Sequence, residues 1–172
     1  MSKYLNSLSK YKIDLLFIIF IALTVLFLSK NFSLLHIQGS SMYPTYNDNE
    51  ILIVKKNSNI ENNDLAIFMA PTEWNIGDKK LIKRTVAGPG DTLSIEGHLM
   101  KVNNGEIINV KDKRCQVNIE ITLGVNEYFM VGDNYSSSND SLTQLCDGNE
   151  QFLVKDDNIL FSGEEMFVIG GF

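Results

Sequence analysis

An apolar segment near the N-terminus constrains this chain more than any other feature. Ile13–Leu28 is almost entirely apolar, and Leu15–Ser29 contains no charged residue. A helix needs about 20 apolar residues to cross a membrane, with a usual range of roughly 17–25. This run is slightly short, but Asp14 and Lys30 bracket it, and a lysine can extend its charge to the interface. The segment predicts an uncleaved transmembrane anchor at residues 13–30.

Two other interpretations of the segment compete with the anchor. A cleaved signal peptide also has a basic start and an apolar core, but no Ala-x-Ala-like site follows the run. A buried core helix is compatible with the length. However, a surface helix of a small domain shows a polar stripe, and this run is apolar on every face.

The distribution of charge predicts the orientation of the anchor. Lys3, Lys10 and Lys12 are the only charged residues in the first twelve, so a tail at residues 1–12 is expected to remain in the cytoplasm. The following domain is expected outside the cytoplasmic membrane. The whole chain carries −6 and the first twelve residues carry +3, which leaves −9 for the remainder. An acidic domain without a basic stripe is a poor match for nucleic acid, so no nucleic-acid partner is predicted.

Short apolar and β-branched runs follow the anchor and are separated by turn-type clusters. This pattern predicts a mostly β, antiparallel domain behind the N-terminal helix, at residues 36–172. The predicted strands are Ile51–Val54, Leu65–Ala70, Leu81–Val86, Thr92–Ile95, Leu99–Val102, Glu106–Val110, Val117–Thr122, Tyr128–Val131 and Met166–Ile169.

Four segments in a fixed order are candidates for carrying chemistry. They are Q-G-S-S-M-Y-P-T at 38–45, E-I-L-I-V-K-K at 50–56, L-I-K-R-T-V-A-G-P-G-D at 81–91 and V-G-D-N-Y-S-S-S-N-D-S at 131–141. Behind a basic-flanked anchor, this order resembles the bacterial type I signal peptidases, which use a Ser/Lys dyad. The likeness covers most of the chain. It implies a membrane-bound serine endopeptidase that uses no cofactor and cleaves translocated preproteins at Ala-x-Ala-like sites.

The two proposed catalytic residues also suit this chemistry physically. Ser41 lies among small residues in a turn before Pro44, and its hydroxyl needs a base to become a nucleophile. Lys83 and Arg84 point to opposite faces of a predicted strand, so one of them approaches the core. An ordinary lysine is protonated at neutral pH, and a general base requires burial to favour its neutral form. Lys83 is therefore predicted to be the buried residue and the base.

The resemblance implies supporting roles for four more residues. Ser138 is the position that hydrogen-bonds the catalytic lysine in the family, with Ser136, Ser137 and Ser141 as substitutes. Asp140 is the family position that pairs with the arginine beside the lysine, which is Arg84 here. Gly39 stands where some relatives have an oxyanion-stabilising serine, so backbone N–H groups are expected to serve. Apart from the resemblance, Gly132–Asn134 is predicted to be a tight turn in which Asp133 or Asn134 caps local backbone.

Several positions depart from the family pattern, among them Leu142 where an arginine commonly stands. The departures keep two alternatives open: a narrow processing peptidase that matures pilins or conjugation proteins, and an inactive membrane-anchored β domain. A self-cleaving repressor-type protein also uses Ser/Lys, but it would not carry the anchor.

The remaining reactive residues give weaker predictions. Cys115 and Cys146 are the only cysteines and are both expected outside the membrane, where they are able to form a disulfide. A histidine base, His36 or His98 with Asp133, is disfavoured because nothing local orients either ring. No metal-ligand spacing is present, so no metal is predicted. Trp74 is expected either to dip into membrane lipid or to cover an apolar patch.

Overall fold

A single long helix precedes the β-rich part of the chain. The computed structural model describes residues 2–57, 59–110 and 117–170, with side chains from residue 12 onward. Helix α1 spans Ser2–Asn31, and its stretch Lys12–Asn31 is apolar and long enough to cross a membrane. None of that stretch is buried against the rest of the protein, so it is not a core helix.

Strands account for most of the regular structure after α1. Within the described residues they are β1 (Phe32–His36), β2 (Ile51–Lys56), β3 (Leu65–Met69), β4 (Lys80–Ala87), β5 (Thr92–Gly97), β6 (Leu99–Val102), β7 (Ile107–Asn109), β8 (Val117–Thr122), β9 (Glu127–Val131), β10 (Val154–Lys155) and β11 (Ile159–Ile169). A short helix α2 (Ser141–Cys146) and two 3₁₀ turns (Thr72–Trp74 and Asp156–Asn158) complete the described elements. The mostly β fold behind an N-terminal apolar helix confirms the predicted class.

The described strands form two antiparallel sheets. The larger sheet has the order β1-β2-β11-β3-β4-β9-β10, and the smaller has the order β7-β6-β5-β8. Strand β1 follows α1 without a break and pairs along its whole length with β2, from Phe32↔Lys55 to His36↔Ile51. The described sheet therefore starts at Phe32, four residues before the predicted domain boundary.

The larger sheet curls, so that β1 comes to face β4. Leu35 and Ile37 pack in one buried cluster with Leu52, Leu65 and Ile67, and Ile82 of β4 packs against the same cluster. Alternation of apolar side chains along β2 and β3 supplies this core face. The curl brings the two strands that carry the candidate site to opposite sides of one groove.

Strand β4 has two different environments along its length. Strand β3 pairs with it from Lys80 to Arg84, whereas β9 pairs with its other edge only from Arg84, opposite Val131, onward. In the described part of the chain, no strand pairs with that second edge at residues 80–83. These residues therefore present open backbone groups next to the site.

Trp74 lies inside the domain. Its side chain is buried, makes an edge-to-face contact with Phe68 and donates a hydrogen bond from Nε1 to the Gln151 carbonyl at 3.0 Å. The structure thus favours the interpretation that this residue covers apolar surface.

Candidate active site

Ser41 lies in a turn that continues directly from β1. Tyr43 N–H donates to the Ser40 carbonyl at 3.1 Å, and Tyr46 N–H donates to the Met42 carbonyl at 2.9 Å. Met42 and Tyr46 are both buried and anchor the turn in the core. The half-buried Ser41 is thereby held at the surface of a fixed loop.

Gly39 has a conformational role in this turn. Its φ of +84° is one that glycine adopts readily and other residues rarely do. Its N–H donates to Asp48 Oδ1 at 2.7 Å. That N–H is already used, so the oxyanion donor expected from the backbone here is not the N–H of Gly39.

Lys83 approaches Ser41 from β4. Its side chain is 2% exposed, whereas Arg84 beside it is only half-buried, as the alternation of strand side chains requires. Lys83 Nζ lies 2.7 Å from Ser41 Oγ in a hydrogen bond. The structure therefore brings together the two residues that the sequence singled out for the chemistry.

The segment after β9 binds the nucleophile turn from the other side. Asn134 N–H donates to the Ser41 carbonyl at 3.0 Å, and Asn134 Nδ2 donates to the Ser40 carbonyl at 2.9 Å. The sequence pattern predicted only a local backbone cap for this asparagine. The prediction was wrong because the groups that Asn134 binds belong to a turn more than 90 positions away.

Gly132 makes the close approach of this segment possible. A Cβ atom built on Gly132 would overlap both Ser138 Oγ and the Ser41 carbonyl oxygen. The side chain of Ser138 is buried and lies against the same glycine. The predicted supporting serine thus lies beside the nucleophile turn.

The partner of Arg84 is not the one expected. Arg84 Nε and Nη2 donate to the two oxygens of Asp133 at 2.9 and 2.7 Å, and Arg84 Nη1 donates to the Asn63 carbonyl at 3.0 Å. The predicted Arg84–Asp140 pair is therefore wrong, and so is the local capping role expected of Asp133. The strand register explains this, because Arg84 is opposite Val131 and Asp133 follows two residues later.

Asp140 has a different function, in local structure. It is fully buried, accepts from Gly132 N–H at 2.9 Å and accepts from Thr143 N–H at 2.9 Å as the N-cap of α2. An N-cap aspartate satisfies a helix N–H that has no partner within the helix. Asp140 therefore ties α2 to the glycine against which Ser138 packs.

A second polar contact joins the nucleophile turn to β11. Tyr46 donates its hydroxyl hydrogen to Glu165. Burial and this carboxylate raise the pKa of Tyr46, so its hydroxyl stays protonated. The hydrogen bonds to Asp133 raise the pKa of Arg84, so this guanidinium remains a permanent cation beside the site.

Ser41 and Lys83 open into a groove of about 310 Å³. One wall is β1 with the residues that follow it, and the other is Lys80–Lys83 of β4. Leu34, Leu35 and Ile67 contribute apolar lining. The groove lies between two strand edges and ends at the hydroxyl–amine pair, a geometry suited to an extended peptide.

The other predicted residues lie elsewhere or outside the described ranges. His36 is exposed on the groove wall, and His98 lies in the smaller sheet, between β5 and β6. Cys146 ends α2, whereas Cys115 lies outside the described residues, so the disulfide stays a prediction. Within the described ranges, no group of three or more His, Cys, Asp or Glu side chains is placed to hold a metal ion.

Comparisons with known proteins show which family this chain resembles. A family model described as signal peptidase, peptidase S26, matches residues 10–162. The chain is 32% identical over 144 residues to a signal peptidase I of Bacillus amyloliquefaciens, covering 74% of this chain and 72% of that protein. It is 30% identical over 169 residues to a signal peptidase I P of Bacillus subtilis subsp. natto, covering 87% and 88%. A signal peptidase I of Streptococcus pneumoniae is 31% identical over 106 residues, covering 62% of this chain and 48% of that protein.

Proposed function

The chain belongs to the signal peptidase family, peptidase S26, and on that premise we propose that it cleaves signal peptides from translocated preproteins with Ser41 as nucleophile and Lys83 as general base. It is a serine endopeptidase anchored by an N-terminal apolar helix. The observation that carries the catalytic assignment is the 2.7 Å contact between Lys83 Nζ and Ser41 Oγ.

The chemistry follows from this pair. Burial favours the neutral amine of Lys83, because the ammonium form loses more hydration than the neutral form. The amine takes the Ser41 proton while Oγ attacks the scissile carbonyl, and it then gives the proton to the leaving amine. Water, activated by the same amine, hydrolyses the acyl-enzyme. The N–H of Ser41 is the proposed donor to the oxyanion.

The supporting residues hold the pair in place. Ser138, buried against Gly132 beside the nucleophile turn, is proposed to hydrogen-bond the Lys83 amine and fix its direction. The Arg84–Asp133 pair fastens β4 to the segment after β9 by two parallel charge-assisted bonds. Asp140 supports the same segment from α2.

The substrate is proposed to bind as an added strand in the groove. The edge of β4 at residues 80–83 is open in the described structure, and β1 is the terminal strand of the larger sheet. Main-chain hydrogen bonds to such edges give affinity, and alternate side chains enter pockets. The resemblance to signal peptidases favours small residues, Ala-x-Ala-like, just before the cut.

The membrane is the second proposed partner. Residues 13–30 are proposed to span the cytoplasmic membrane, with residues 1–12 inside and the β domain outside. Next to the end of α1, an open apolar surface includes Phe32, Leu34, Met166 and Phe167. Leu34 and Phe167 are 69% and 62% exposed. This surface is proposed to contact lipid, which would place the groove close to the membrane.

The catalytic assignment is tested with full-length protein in detergent and a peptide carrying an Ala-x-Ala site. Ser41→Ala and Lys83→Ala are expected to abolish cleavage. Lys83→Arg is expected to be inactive too, because a guanidinium is effectively never deprotonated. His98→Ala is the matched control and is expected to retain wild-type activity.

Circular dichroism establishes that each variant is folded. Cleavage retained in a folded Lys83→Ala variant, or lost in a folded His98→Ala variant, would rule out the Ser41/Lys83 mechanism. Peptides with large residues at the two alanine positions test the pocket, and they are expected to resist cleavage.

A further inference from the structure

The charge of the groove differs from that of the protein around it. The chain as a whole carries −6, yet no Asp or Glu lines the groove in the described structure. Its titratable lining residues are His36, Lys80 and Lys83. Lys83 is buried at the catalytic end, so the exposed cation of the groove is Lys80 at the other end of the same wall.

Lys80 is available to a ligand. It is the first residue of β4 and is exposed. Among the described residues the salt bridge found joins Arg84 to Asp133, and Lys80 takes no part in it. Lys80 is not part of the apolar surface next to the end of α1. The lysine that lines that surface is Lys56, whose Nζ donates to the Ser29 carbonyl at 3.1 Å. The position of Lys80 therefore favours contact with a peptide bound in the groove.

The strand geometry gives the position of that contact along a substrate. Lys80 and Lys83 are three positions apart, which is about 10 Å along an extended strand. The groove runs from Leu34, which also belongs to the apolar surface at the end of α1, towards Ser41. A chain leaving the membrane beside α1 enters at the Leu34 end, so the amino side of the cut occupies the groove. With the residue before the cut opposite Lys83, Lys80 then lies opposite about the fourth or fifth residue before the scissile bond.

We propose that Lys80 is a specificity-determining residue that favours substrates with an acidic side chain at about the fourth or fifth position before the cut, just ahead of the Ala-x-Ala-like site. This inference rests on the proposed function. An acidic side chain there pairs with the Lys80 ammonium at the rim of the groove. Elsewhere it would face a predominantly acidic protein surface. Exposed ion pairs are weak, so the expected preference is about two- to fivefold in kcat/KM.

The test uses full-length protein in a neutral detergent without lipid. Three peptides share one Ala-x-Ala site and carry Asp, Asn or Lys at the fourth position before the cut. Wild-type protein is expected to cleave them in the order Asp, Asn, Lys, with differences that shrink as salt is raised. Lys80→Glu is expected to reverse the order. Lys79→Glu makes the same change in net charge on a neighbouring exposed residue outside the groove lining and is expected to keep the wild-type order.

Each outcome decides the proposal. The proposal would be overturned if wild type and Lys80→Glu gave the same ratios of kcat/KM among the three peptides. It would also be overturned if Lys79→Glu reversed the order of cleavage. A charge effect that appears only after anionic lipid vesicles are added would also overturn it and would identify Lys80 as a headgroup contact. If wild type cleaves none of the peptides and equals Ser41→Ala, the proposed function itself has failed. Cleavage without charge preference removes only the role of Lys80.

Discussion

Asn134 shows how one side chain can fix a catalytic turn that is distant in sequence. Its backbone and side chain together bind the carbonyls of Ser41 and Ser40. A nucleophile must be held within a few tenths of an ångström of the geometry needed for attack. In the proposed mechanism, Lys83 deprotonates Ser41 productively only while the turn keeps this position. We therefore expect Asn134 to act as a positioning residue of the proposed site.

Replacing this side chain is expected to reduce turnover more than binding. Asn134→Ala removes the bond to the Ser40 carbonyl and the one accepted from Ser136 Oγ, and it leaves the backbone bond to Ser41. The fold should therefore survive with a loss on the order of 1 kcal/mol. We expect kcat to fall about tenfold or more with KM little changed. Asn149→Ala is the control, because it also removes more than one side-chain hydrogen bond, among them one of 3.0 Å to the Glu73 carbonyl, at a position far from Ser41 in the sequence. Equal kcat values for the two variants would exclude a positioning role.

At the scale of elements, the sequence predicted the positions of most strands better than it predicted how the elements pair and pack. Val117–Thr122 and Leu99–Val102 have the predicted bounds. Strand β1 was missed because Phe32, Leu34 and Leu35 look like a continuation of the apolar anchor. Only pairing with β2, itself set by tertiary structure, makes them a strand.

Helix α2 was missed for a related reason. Six residues are too few to show a helical period, and its stability depends on the Asp140 cap and on packing against β9. The partner of Arg84 could not be predicted from the sequence either, because the choice between Asp133 and Asp140 depends on the register of β4 against β9. Ser41 and Lys83, in contrast, were predicted from the fixed order of four segments that resembles the signal peptidases, and the structure places their side chains 2.7 Å apart.

The turn that joins β4 to β5 supplies an acid-sensitive contact between elements. Burial alone would raise the pKa of Asp91, but hydrogen bonds from Gly88 N–H, Asn62 and Asn103 outweigh it and lower that pKa below its usual value. The pKa of Asp91 is lower in the folded protein than in the unfolded chain. The ionised carboxylate therefore stabilises the folded state above about pH 4, and this stabilisation is lost as the pH falls through the folded pKa.

This sign gives a measurable pH dependence. Asp91→Asn is expected to destabilise the protein by on the order of 1 kcal/mol at pH 7, since these bonds are partly exposed to solvent. The difference in Tm between wild type and variant should shrink when both are measured near pH 3. Asp157→Asn, at an exposed position, should show no difference at either pH. A gap for Asp91→Asn that is constant with pH would contradict the assignment.

At the scale of the whole molecule, the anchor and the enzyme domain meet without a linker. Helix α1 ends at Asn31 and β1 begins at Phe32, while Lys56 of β2 hydrogen-bonds the Ser29 carbonyl. The strand that forms one wall of the groove is thus attached directly to the apolar helix. The family, the fold and this helix together describe a membrane-anchored signal peptidase.

Truncation should separate anchoring from catalysis at a sharp boundary. Deleting residues 2–30 keeps β1, so the shortened protein is expected to fold and to cleave a soluble peptide. Deleting residues 2–36 removes β1 and the buried Leu35, with an expected loss of about 3 kcal/mol or more and of all cleavage. Peptide cleavage and thermal unfolding measure both effects. Equal activity of the two truncated proteins would show that β1 does not form the groove.

The open edge of β4 has a consequence for the architecture of the bound enzyme. The larger sheet runs from β1 through β2, β11 and β3 to β4, and the groove separates its first strand from its fifth. A substrate strand that pairs with both walls closes these five strands into a six-stranded barrel. In the proposed binding mode the preprotein is thus a temporary structural element of the enzyme, and the barrel reopens when the cleaved signal peptide leaves the groove.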